Sequence, residues 1–214
     1  MSVNTYHPTI LKQEIANSVS HGFGILFGIV CIPLLLVLAT KTGNITTTLG
    51  VSIYAFSFLM VYTSSTLYHG FQQPLVKNVL QILDHISIYF LIAGSYTPFI
   101  LIYVFNSVGI TLLCVLWGLT LVGTVFKIFF INKFNFLSTI IYLLMGWLLL
   151  AAGKTFFVSL PSDVLTLIVI GGILYSFGVI FYLWEKFMYH HLVWHLFVLA
   201  ASICHFAAVI LAVS

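Results

Sequence analysis

The stretch HHLVWHLFVLAASICHF, residues 190–206, decides how this chain is read, because it is apolar throughout apart from one serine and four histidines. The run continues to Ala212, enough to cross ~30 Å of hydrocarbon as a helix, which takes about 20 residues. Ionisable groups inside a membrane are costly, so imidazoles concentrated here make function the default explanation. On a helix His191 and His195 stand four residues apart, about 40° around the axis and ~6 Å along it, so both rings project from one face and can grip one metal ion. His205 lies ~15 Å deeper and reads as a core residue satisfied by a hydrogen bond.

The whole chain shares this character. Of its 214 residues 62 % are hydrophobic and 5 % charged, none is arginine, and the mean hydropathy is +1.19. That balance excludes a water-soluble globular domain, and a formal charge of +3, scattered along the chain, gives no footprint for nucleic acid. Cys31, Cys114 and Cys204 all lie in apolar runs without Cys-x-x-Cys spacing, so they read as small buried hydrophobes rather than as disulfides or thiolate ligands.

Apolar runs broken by Lys, Asn, Pro and Gly clusters give seven spans: Ser18–Ala39, Thr46–His69, Leu83–Phe105, Val108–Lys127, Phe136–Gly153, Asp163–Leu183 and His191–Ala212. The fold class is therefore an all-α integral membrane protein, a seven-helix bundle. Residues 1–17 form an N-terminal segment and 18–214 a single membrane domain. The run to Ala39 is too long for a cleaved signal peptide, so the first span is expected to stay as an anchor. The connections, among them GFQQPLVKN (70–78) and KTFFVSLPSD (154–163), read as turns or interfacial loops. Pro33 and Pro98 fall inside spans, where they are expected to kink the helix. Lys12, Lys77, Lys127, Lys133 and Lys186 fall on one side and Lys41 and Lys154 on the other, which predicts a cytoplasmic N-terminus and an extracytoplasmic C-terminus.

With that topology the polar residues of the spans gather at the cytoplasmic ends: Glu14, Asn17 and His21; Ser64, Ser65 and His69; Asp84 and His85; His190, His191 and His195. His69 offers a third imidazole to the pair on the last span, and three histidines with a fourth place for water is a catalytic zinc arrangement. Asp84 is the carboxylate placed to bind the ion directly or to act as general base. It can also simply cap its helix. Ser65 can orient His69 or a substrate oxygen. Glu14, Asn17 and His21 read either as supporting neighbours or as the capped, wet entry to the first span. His85 and His190 read as interfacial neighbours and His7 as solvated. Gly24, Gly28 and the Gly171–Gly172 step read as close helix packing.

EIANSVSH (14–21), SSTLYH (64–69) followed by LDHISIYFLIAGSYTPF (83–99), and HLVWH (191–195) followed by CHF (204–206) resemble, in order, the three signature motifs of the hemolysin III group within the progestin and adipoQ receptor family. The resemblance implies a seven-helix fold with the N-terminus inside and a zinc ion near the cytoplasmic face. By position its ligands fall on His69, His191 and His195, with the motif serine at Ser65 and the motif aspartate at Asp84. Relatives of this fold include alkaline ceramidases, and bacterial members carry the name hemolysin for lytic activity. The chain lacks the long N-terminal soluble region of the animal receptors, so a hormone-receptor role is not expected.

Three readings follow for a protein of the bacterial inner or plasma membrane. The first is a zinc hydrolase of a lipid amide or ester, with a membrane lipid as substrate or ligand. The second is a non-catalytic sensor of membrane state held together by structural zinc. The third is a cytolysin acting as a homo-oligomer, although no repeating charge pattern suits a wide pore within one chain.

Overall fold

A computed structural model describes residues 8–131, 133–186 and 188–214, so the expectation for His7 lies outside the described residues. These residues are helical, without strands. In chain order the helices are α1 (Pro8–Lys41), α2 (Ile45–Gly70), α3 (Pro74–Tyr103), α4 (Ser107–Phe130), α5 (Asn135–Gly146), a 3-10 segment (Leu148–Ala152), α6 (Gly153–Ser159), α7 (Ser162–Leu183) and α8 (His190–Val213). Among the described residues six are long and apolar enough to span a membrane singly, and α5 with Leu148–Ser159, bent by 41° at the break, brings the number to seven if the pair is one span.

The helix ends follow local chemistry. The Asn44 side chain accepts from the amides of Thr46 (2.9 Å) and Thr47 (3.4 Å), and Asn106 accepts from that of Gly109 (3.1 Å), each capping free N–H groups of a first turn. Gly43, at φ +68°, makes the tight return between α1 and α2. Pro74 starts α3, where its missing N–H costs nothing.

Hydropathy places the hydrocarbon, whereas a helix runs as far as its backbone bonds are favourable. This is why α3 begins at Pro74, inside the stretch expected to be a loop, and why α1 already includes Glu14 and Asn17. Pro33 and Pro98 both lie within continuous helices.

The bundle closes around α3, whose most apolar window is 67 % buried against 28 % for α1, α4 and α7. α1 packs between α2 and α8, α2 and α4 flank α3, and α7 packs on α8, with α5 touching both α3 and α7. Small residues permit the close approaches: a methyl group on Gly24 or Gly28 would strike Tyr62 or Leu59 of α2, and one on Gly171 would strike His205. Large apolar side chains such as Val30, Phe56, Val122 and Phe129 point outward, as a lipid-facing surface requires.

The expected fifth span, Phe136–Gly153, is a broken helix that continues as α6 through Lys154–Ser159, a stretch expected to be a loop. The break has a specific cause. The Tyr96 hydroxyl of α3 donates to the carbonyl of Gly146 (2.6 Å) and accepts from the amide of Leu149 (3.1 Å), standing in for the bonds an unbroken helix would make there. Gly153, at φ +57°, completes the change of direction. Tyr96→Phe leaves both backbone groups without this partner, and the expected loss is about 1–3 kcal/mol of stability, read as a lower unfolding temperature of the purified protein in detergent.

Candidate metal centre

At the end of the bundle where α1 approaches α2 and α8, three imidazoles converge. His69 comes from the last turn of α2, and His191 and His195 come from the first turns of α8. The ring centroids lie 5.1 Å apart for His69 and His191, 5.0 Å for His69 and His195, and 4.6 Å for His191 and His195. One nitrogen of each ring can be chosen so that all three lie within 4.8 Å of one another. The i, i+4 pair is fixed by the helix repeat, whereas His69 arrives through packing of α1 between α2 and α8.

The outer nitrogens settle which inner nitrogens are available. His69 Nδ1 lies 3.1 Å from Glu14 Oε2, so the ring donates to the carboxylate and leaves Nε2 bare. Among the described residues that Nε2 is buried with no hydrogen-bond partner. His195 Nδ1 lies 3.2 Å from the Asn17 carbonyl, which can only accept, so this ring too carries its proton on Nδ1. Ser20 reinforces the arrangement, donating to the same carbonyl (2.7 Å) with its oxygen 3.1 Å from His195 Nδ1. A buried nitrogen with a bare lone pair, such as His69 Nε2, is costly without a partner, and a cation shared with His191 and His195 removes the cost. The residues present therefore fit a metal such as zinc.

Glu14 has a second partner. Its Oε2 also accepts from Lys77 Nζ (2.7 Å), which reaches over the Tyr68 ring (4.7 Å to the centroid). Glu14, Asn17 and Ser20 recur at three-residue spacing on one face of α1, the signal by which this supporting row could be read from sequence. Ser20 and Lys77 had no site role in the sequence reading.

The remaining candidates occupy distinct places. Asp84 is buried with Ser65 beside it, and it stands outside the group of three histidines that can share an ion. His21 stacks on His195 with centroids 3.7 Å apart and meets Tyr62 edge-on. His190 turns away, its Nδ1 3.1 Å from the Phe181 carbonyl. His205 lies deeper, its Nε2 3.3 Å from the Ile168 carbonyl.

His21, Ser65, Asp84, His191 and His195 all line one chamber with about 1410 Å³ of space free of protein atoms, mouth included. The chamber follows α3 from Asp84 to Phe99, roughly 22 Å at the helical rise per residue. Away from the histidines its wall is apolar, with Leu91, Ile92, Phe99, Leu149 and Phe156.

Residues 9–206 match the family described as Haemolysin-III related. The chain is 44 % identical over 200 residues to the hemolysin-3 homolog of Bacillus subtilis (strain 168), covering 94 % of each chain. It is 42 % identical over 200 residues to hemolysin-3 of Bacillus cereus, covering 94 % of this chain and 91 % of the other. A more distant similarity, 26 % over 210 residues, links it to the human monocyte to macrophage differentiation factor, covering 95 % of this chain and 85 % of the other. A multi-pass helical bundle carrying this histidine cluster and matching the family over nearly its whole length, the chain belongs to the haemolysin III family, within the progestin and adipoQ receptor family.

Proposed function

We propose that this protein is a zinc-dependent hydrolase of a lipid amide or ester, working at the cytoplasmic face of the membrane. The observation that carries the reading is the trio of imidazoles, two of which, His191 and His195, line an elongated, mostly apolar chamber. All three donors are nitrogen, a set that suits zinc, and the group leaves a fourth position for a reactant. Zinc bound there would supply Lewis acidity toward a carbonyl oxygen and make water a stronger acid.

The chain's own residues supply the rest. Glu14 and the Asn17 carbonyl hold the rings of His69 and His195 in the tautomers that present lone pairs inward. Asp84, beside Ser65 and facing the same chamber, is the general base that takes a proton from the attacking water and returns it to the leaving group. The apolar wall excludes bulk water and accepts an acyl chain. The lysine distribution supports the cytoplasmic placement. Asp84 standing outside the three-histidine group favours an open, catalytic shell over a closed structural one.

Three outcomes are expected. His191→Ala combined with His195→Ala lowers zinc by about one ion per chain in elemental analysis of the purified protein, and equal metal in both proteins overturns the metal assignment. Glu14→Gln retains the three histidines but weakens zinc about 10–100-fold in competition with a chelator. Asp84→Asn keeps the metal and slows fatty-acid release from a panel of ceramides and lipid esters by about 10²–10⁴-fold. A zinc-loaded wild type that cleaves no member of the panel defeats the hydrolase reading.

A further inference from the structure

Lys127 sits near the end of α4, in a membrane-spanning helix, and is only 1 % exposed. An ammonium group in such a place is expensive unless a negative charge or several acceptors meet it. Among the described residues no carboxylate pairs with it, and its Nζ makes one long hydrogen bond, 3.4 Å to Asn135 Oδ1. Lys127 lines the chamber that begins at the metal centre, together with Asn135, Ser138 and Thr139 of α5 and His85 of α3. Its electrostatic neighbour is His85, the residue after Asp84, so the lysine stands at the polar end of the chamber rather than along the acyl-sized tunnel.

A second feature points the same way. Lys127 contacts the first residue of α5, a helix of 12 residues whose N-cap, Phe134, offers no side chain to the free amides of the first turn. An uncapped helix start carries partial positive charge, which an anion satisfies. Among the described residues the buried ammonium and the first turn of α5 thus form a cluster of positive charge without a paired carboxylate, beside the hydroxyls of Ser138 and Thr139, which donate to the carbonyls of Phe134 and Asn135.

We propose that Lys127 and the first turn of α5 form a subsite for an anionic lipid head group, with the acyl chain of the same lipid running along α3 toward Phe99. The substrate class is then an anionic amphiphile rather than a neutral one. The inference rests on reading the chamber as a lipid site, and it is tested by binding, so failure of hydrolysis and failure of anion recognition are separable.

The experiment measures binding of dihexanoyl phosphatidate, dihexanoyl phosphatidylcholine and inorganic phosphate to the zinc-loaded full chain in detergent. Wild type is expected to prefer phosphatidate over phosphatidylcholine by about tenfold or more, the scale of a charge-assisted hydrogen bond. Lys127→Met is expected to erase that preference while retaining zinc content, which reports an intact centre. Asn135→Ala, a gentler change, is expected to reduce it. Asp84→Asn, which slows turnover, is expected to leave it in place. Equal affinity of wild type for the two lipids overturns the proposal without recourse to any variant, as does a preference that survives Lys127→Met. Inorganic phosphate displacing phosphatidate at comparable concentration overturns the lipid assignment and leaves a free-anion site.

Discussion

The constraint on which this structure depends is that polar groups at membrane depth must find partners within the protein, because lipid supplies none. Eight histidines in a chain with four carboxylates cannot all be met by acids. The fold answers with backbone carbonyls: Asn17 for His195, Phe181 for His190 and Ile168 for His205. Among the described residues the one carboxylate spent on a histidine is Glu14, whose Oε2 serves His69 and Lys77 together. At His69 and His195 those bonds leave one ring nitrogen each unspent, and with His191 these form the candidate metal centre.

The same bonds hold the bundle together. Glu14 and Asn17 belong to α1, His69 to α2 and His195 to α8, so the outer hydrogen bonds of the imidazoles join three helices far apart in sequence. A metal bridging the inner nitrogens would close the loop on the opposite side of each ring. Ligand geometry and helix packing therefore constrain one another, and a change in either is transmitted to the other. On the far side α3 carries Asp84 at one end of the chamber and Tyr96 farther along. The Tyr96 hydroxyl keeps the fifth span broken where an unbroken helix would have run.

Much was legible in the sequence. The apolar runs gave the class and, with the broken helix taken as one span, the span count, because their length matches the hydrocarbon and nothing else explains so few charges. The spacing of His191 and His195 gave their common face, because a helix repeats every 3.6 residues. Helix ends were less legible: α1 and α3 begin about nine or ten residues before the expected spans, since hydropathy reports depth and not backbone bonding. The bend in the fifth span depends on a tyrosine fifty residues away in sequence, which no local pattern records.

The sequence by itself determined a membrane bundle of helices and a pair of histidines on one face of the last, since both follow from residue type and helical period. Only the tertiary structure decided that Glu14 and the Asn17 carbonyl orient His69 and His195. It alone brought Lys127 to the same chamber as Asp84, without a carboxylate beside it. Those relations cross between helices, and their cause is three-dimensional: which groups share one depth and one interior wall is set by how the helices pack, and residue order along the chain carries no measure of it.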